Sequence, residues 1–350
     1  MSRRLATWIV VLVIFLAIVV SAAVAGGQAA SGLTTPIDRD GVSYVGTQLQ
    51  SGDSDLQVAV VPVTGTLMSG DSSPDGGVTG SDDVIRMLDE IAESDRFDGV
   101  MLRLDTPGGG VLAAAEIHDA ILRLKKADIP VLAWMRGTAA SAGYYIAAPT
   151  DRIVAAPETV TGSIGVILQY VEASELAEEV GVSAVTIKSG ELKDMGSPFR
   201  KLTVEERAVL QAFIDESFDE FVRVVGEGRD MSESKVREIA DGRIYTGRQA
   251  EELDLVDELG LKREAFAAMA KLLDAPKDGA EIDVVEFGRS YGLFETLGAD
   301  VQPALASLES IGNVASVLGG DASALSSTAR RPGARAVGNG FLDIQYRATL

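Results

Sequence analysis

The sequence contains no cysteine in 350 residues. Disulfides, zinc–thiolate sites, iron–sulfur clusters and cysteine nucleophiles are therefore excluded. It contains one histidine, His118. A histidine-rich metal site is excluded too, and a Ser-His-Asp triad would have to use that single residue. Neither a metal nor a cofactor is expected. Basic residues are scarce beside acidic ones: 31 Lys and Arg against 52 Asp and Glu, a formal net charge of −21. Nucleic acid is not an expected partner, because phosphate binding needs a basic surface to displace counterions. The acidic excess keeps the surface solvated and fits a salt-adapted, halophilic origin.

One long apolar run is present, at the amino terminus. Leu5 to Ala25 carries no charge and follows Arg3 and Arg4; the next basic residue is Arg39. At about 1.5 Å per residue such a run just crosses a hydrocarbon core of about 30 Å. The charge asymmetry places the amino terminus in the cytoplasm and the bulk of the chain outside. Ala23-Val24-Ala25 would also serve as a signal-peptide cleavage site, but the run is long for a signal core, which favours a retained anchor. The expected organisation is an anchor over 1–25, a linker rich in Gly, Ser, Thr and Asp over 26–54, a main domain over 55–275, and an extension with a flexible tail over 276–350. This makes a single-pass protein of the cell membrane with its main domain extracytoplasmic and lipid around its first helix.

Within the main domain, short β-branched runs alternate with amphipathic ones. Strands are expected at Val58–Val63, Gly99–Leu104, Pro130–Met135, Arg152–Ala155, Ile164–Leu168 and Ala184–Ile187. Helices are expected at Ser81–Arg96, Val111–Lys126, Ser141–Ala148, Ser174–Val180, Lys235–Ala240, Arg248–Leu253 and Lys262–Leu273. Thr203 with Glu206 is a capping box that opens a long helix with Leu210, Phe213, Ile214, Phe218, Phe221, Val222 and Val225 on one face. The alternation predicts an α/β domain with a mostly parallel sheet. Right-handed crossovers gather the loops Asp105–Gly110, Gly137–Ala140 and Thr159–Ser163 at one sheet edge. The last residues, Phe341–Tyr346, regain strand character and could lie in a peptide groove as an extended strand.

Chemistry concentrates at that edge. Ser141 stands among small residues at a strand-to-helix junction, where a helix amino terminus offers free N–H donors. Those are the needs of an acyl-transfer nucleophile with an oxyanion hole. The loop Asp105-Thr106-Pro107-Gly108-Gly109-Gly110 can supply further N–H groups. His118 lies mid-helix beside Asp119, a poor place for a triad base. A lysine serves as base if it is neutral, and Lys188 and Lys193 both lie in the loop after Ile187. The residues alone leave the choice between them open. Lys193 requires that the neighbouring Glu191 and Asp194 point elsewhere, since a facing carboxylate favours the ammonium.

Several stretches, taken in order, resemble the signal peptide peptidase A family, Ser-Lys peptidases of the ClpP/crotonase-like fold. They are Val58–Thr66, Asp105–Gly110, Gly137–Tyr145, Thr161–Val166, Lys188–Pro198 and Ala240–Ala250. The resemblance implies repeated ββα units with helices flanking the sheet, and serine endopeptidase activity on signal peptides or other membrane-associated peptides. It implies Ser141 as nucleophile and Lys193 as general base, with Ser163 hydrogen-bonded to the lysine. The backbone N–H groups of Gly108 and Ala142 would form the oxyanion hole. Relatives form rings, so a homo-oligomer is implied, with serine and lysine from different subunits in single-length chains. Two alternatives remain within this reading: a crotonase-like acyl-CoA enzyme, which an extracytoplasmic site disfavours, and an inactive membrane scaffold.

Overall fold

The computed structural model describes residues 37–39, 42–52, 54–275, 282–289 and 345–347. The expected anchor and most of the expected tail lie outside the described residues, whereas about half of the expected linker is described and is not a plain linker: its residues 42–50 form a strand of the main sheet. Among the described residues no helix is long and apolar enough to cross a membrane.

The chain opens with β1 (Ile37–Arg39), β2 (Val42–Gln50), β3 (Gln57–Thr64), β4 (Thr66–Met68) and β5 (Val78–Gly80), then helix α1 (Ser81–Glu93). Next come β6 (Gly99–Thr106), β7 (Gly108–Gly110), α2 (Val111–Lys126), β8 (Val131–Ala140), α3 (Ala142–Ala147), β9 (Arg152–Ala155) and β10 (Val160–Gly162). An arm follows, with the short α4 (Ser174–Glu179), before the long α5 (Val204–Gly228). The domain closes with α6 (Glu233–Ile239), β11 (Ile244–Thr246), α7 (Gly247–Glu252), β12 (Glu258–Leu259), α8 (Lys262–Leu272), β13 (Asp283–Arg289) and β14 (Gln345–Arg347).

The main sheet runs β1-β2-β13-β3-β6-β8-β10-β11, with β9 beside the first half of β8 and β12 on β9. Its centre, β13-β3-β6-β8, is parallel. A second, small sheet runs β14-β7-β4-β5. Side chains of β3 alternate between two cores. Ala59, Val61 and Val63 join the helices α1, α2, α3 and α5 on one face. Val58 and Val60 meet Phe266 and Met269 of α8 on the other. Burial on both faces is why β3 reads as a continuous apolar run rather than an alternating one.

Most expected elements form within a few residues of their expected ends, and α2 and β9 match at both. Two expected strands do not form. At 164–168 the chain has no strand; the strand lies earlier, at β10, because β8 continues through Gly137–Ala140 and offers those residues a partner. The expected loops Gly137–Ala140 and Thr159–Ser163 are thus largely paired backbone. Ala184–Ile187 is irregular, and Val185 and Ile187 are 87% and 97% exposed. Its β-branched residues have no described strand to pair with. The apolar face of α5 is likewise split: Phe221, Val222 and Val225 are buried, while Phe213 is half exposed.

Candidate active site

Ser141 caps the amino end of α3 with φ 56° and ψ −118°. A non-glycine residue in this region holds strain of about 1–3 kcal/mol, and such strain clusters at functional turns. The turn is fixed from both sides: Ser141 N–H donates to the Gly162 carbonyl at 2.8 Å, and the Ser141 carbonyl accepts from Tyr145 N–H at 2.9 Å. Ser141 is fully buried, and its Oγ has no hydrogen-bond partner among the described residues. A buried hydroxyl without a partner is uncommon and calls for an explanation.

The neighbouring strands set other expected site residues beside this turn. Parallel pairing of β10 with β8 sets Gly162 opposite Ala140, so Ser163 and Ser141 each follow by one residue. Ser163 is buried, with φ 50°, and its N–H donates to the Arg243 carbonyl at 2.7 Å. Ala142 opens α3, where an N–H has no intrahelical acceptor. Gly108 has φ 103°, a conformation that favours glycine. Its N–H donates to the Thr106 hydroxyl at 3.1 Å, so this expected oxyanion donor is already engaged. Thr106 was not singled out from the sequence; it is buried, and its methyl lies so close to Gly143 that a Cβ there would sit 2.7 Å from it. Gly109 meets Leu67 so closely that a Cβ would lie 1.9 Å from the Leu67 oxygen.

His118 does not serve Ser141. Its ring packs edge-on against Tyr145 at 5.5 Å, and burial pushes its pKa below the usual value.

The two lysines differ sharply. Lys188 Nζ donates to the Glu191 carbonyl at 2.7 Å and to Asp194 Oδ1 at 2.9 Å. Lys193 is exposed, and its Nζ makes no hydrogen bond or ion pair with the described residues. Asp194, whose direction the sequence left undecided, points to Lys188 and Arg200. Arg200 reaches both Asp194 oxygens, at 2.7 and 2.9 Å, and continues to the buried Glu206 at 2.8 Å. Hydrogen bonds from Arg200 and Lys188 hold the Asp194 carboxyl well below the usual range. Glu206 in turn accepts from Thr203 N–H at 2.9 Å within the capping box, and its pKa falls to about 2, chiefly through Arg200. Lys193 and Ser141 are not joined within one chain, since the serine hydroxyl has no described partner.

Two further features border the site. A cavity of about 360 Å³ opens beside Ser163, lined by Val166, Ile167, Ile214, Phe218, Asp215 and Asp241 among others. The backbone of β14 lies antiparallel on β7, with Arg347 opposite Gly108 and Gln345 opposite Gly110. The tail thus supplies a strand to the glycine loop, slightly later than the expected Phe341–Tyr346; residues 341–344 lie outside the described residues. Among the described residues no group of His, Cys, Asp and Glu could hold a metal ion.

Residues 123–275 match the model of peptidase family S49, and residues 77–161 match that of Clp protease. A candidate signal peptide peptidase SppA of Enterococcus faecium is 44% identical over 210 residues, covering 59% of this chain and 61% of that protein. A candidate protease of Synechocystis sp. is 40% identical over 230 residues, covering 66% of this chain and 79% of that one. A candidate protease of Methanocaldococcus jannaschii is 35% identical over 232 residues, covering 65% and 74%. The chain spans only about three fifths of the Enterococcus protein but most of the other two. With a Clp protease-like α/β fold and a mostly parallel sheet, the chain belongs to peptidase family S49.

Proposed function

We propose that this chain is a membrane-tethered serine endopeptidase in which Ser141 attacks and Lys193 is the general base. The observation that carries this reading is the buried Ser141 hydroxyl, without a partner among the described residues, on a strained strand-to-helix turn. Its substrates are cleaved signal peptides or other peptides at the membrane, and its catalytic domain lies outside the cytoplasm.

The chemistry follows from the groups present. Neutral Lys193 takes the Ser141 proton as Oγ bonds to the peptide carbonyl carbon. Ala142 and Gly108 N–H groups receive the oxyanion. To use Gly108, the substrate oxygen must share or replace Thr106 as acceptor. The C–N bond then breaks and Lys193 gives its proton to the leaving amine. Water hydrolyses the acyl-enzyme, with Lys193 again as base and Ser163 orienting it.

A lysine base near pH 7 must lose about three pKa units from a reference of about 10.4, which needs desolvation worth roughly 4–5 kcal/mol. Lys193 is exposed in one protomer, so a second copy must cover it. The same arm exposes Val171, Val182, Val185 and Ile187, an apolar surface suited to such a neighbour. The active unit is therefore a ring-shaped homo-oligomer in which one subunit's Lys193 serves the next subunit's Ser141.

A serine-reactive fluorophosphonate probe tests the reading. Ser141 should be labelled in wild type and labelling should collapse in Lys193→Ala; labelling of another serine, or undiminished labelling without Lys193, would sink it.

A further inference from the structure

We propose that Arg200 is a positioning residue for Lys193: it holds the Asp194 carboxylate on itself and on Lys188, and so keeps that carboxylate off the Lys193 ammonium. This rests on Lys193 being the base.

The need is plain from chain geometry. Asp194, whose side chain is 13% exposed, follows Lys193 directly, and a carboxylate turned toward that ammonium would favour the charged lysine. At about 4 Å such a pair favours the charged lysine by one pKa unit or more. Arg200 binds Asp194 through Nε and Nη2 to both carboxylate oxygens, and Nη2 also reaches the Asp194 carbonyl at 3.1 Å. That planar fork fixes the direction of the carboxylate, which a lysine point charge does not. Arg200 is itself fixed, because Glu206 accepts from both of its terminal nitrogens. Glu206 is buried at the start of α5 and tied to Thr203 by the capping box. The chain of contacts therefore runs from the helix cap to the lysine loop: Glu206, Arg200, Asp194, Lys188.

Glu178 and Glu179 of the arm are exposed to solvent. Glu175 pairs with Lys201 at 2.7 Å, and Glu172 accepts from Ser174. Glu191, Glu205 and Arg207 are solvated: Glu191 and Glu205 are exposed, and Arg207, on α5, is exposed as well. Asp194 is thus the carboxylate adjacent to Lys193 that the fold actively restrains.

The test is the pH profile of kcat/KM for a fluorogenic peptide, whose acid limb reports the base of the free enzyme. Arg200→Gln should raise the acid limb by about one unit and lower kcat/KM about tenfold on that limb, with the alkaline plateau within threefold of wild type. Adding Asp194→Asn to Arg200→Gln should return the limb to the wild-type position. A merely structural role would lower the plateau and leave the limb in place, and that result overturns the proposal, as does a double variant that stays shifted. Arg200→Gln alone strands the buried Glu206 charge. If it does not fold by circular dichroism, the Arg200→Gln, Glu206→Gln pair removes that charge and should show the same shifted limb. Failure of the underlying reading looks different: Lys193→Ala would then keep its activity and the wild-type limb.

Discussion

Replacing Ser141 by alanine should abolish peptidase activity and at the same time stabilise the fold. The hydroxyl is buried with no described partner, so wild type carries its full desolvation penalty. Removing an unsatisfied buried donor recovers about 1–3 kcal/mol. Alanine keeps the Cβ, so the strain at φ 56° stays. For a domain of this size each kcal/mol moves the melting temperature by about 2–4 °C, giving a rise of about 2–12 °C. Ser141→Gly should melt at least as high, because it also relieves the left-handed strain, offset by about 0.5–1 kcal/mol of glycine backbone entropy. Differential scanning calorimetry of the purified full chain measures this. In an assembled ring a neighbour's Lys193 would satisfy the hydroxyl and mask the gain, so the comparison is repeated in a Lys193→Ala background. If Ser141→Ala melts at or below its parent in both backgrounds, the hydroxyl is not an orphan and the argument for a poised nucleophile loses its base.

Lys193→Ala should reduce kcat/KM by at least about a thousandfold, and Lys188→Ala, which leaves Asp194 still held by Arg200, by less than tenfold; steady-state assays of the two compare them directly. Deleting Ala322–Leu350 removes the strand that lies on Gly108–Gly110 and should raise peptidase activity; unchanged rates would show that the tail does not occupy the groove. The arm should loosen in acid. The Glu206 pKa is depressed from 4.5 to about 2 in the folded chain, so its stabilisation is present above about pH 4.5 and is lost as pH falls towards 2. Proteolysis of the 170–203 segment by an acid-active protease should therefore accelerate across that window, and a flat rate would contradict it.

The helices and central strands were legible because their signals are local. The period of α2, the capping box at Thr203, and the doubly buried run of β3 are set by nearby residues and by burial. The strands that failed, at 164–168 and 184–187, form no ladder in the described sheets. β-branched composition gives no information about whether a partner strand is there.

The candidate site divides the same way. Sequence by itself determined that thiol and histidine-rich metal chemistry were excluded, that Ser141 stood at a strand-to-helix junction, and that a base other than histidine was required. Its resemblance to a family selected Lys193 over Lys188 and added Ser163 and the two N–H donors as expectations. Only the tertiary structure decided where the charges and donors point. Asp194 turns to Arg200 and Lys188, Thr106 occupies the Gly108 N–H, and the Ser141 hydroxyl is left buried without a described partner. The physical reason is range. Backbone propensity and amphipathic period act over one or two turns, whereas the direction of a hydrogen bond or ion pair is fixed by groups that folding alone brings together.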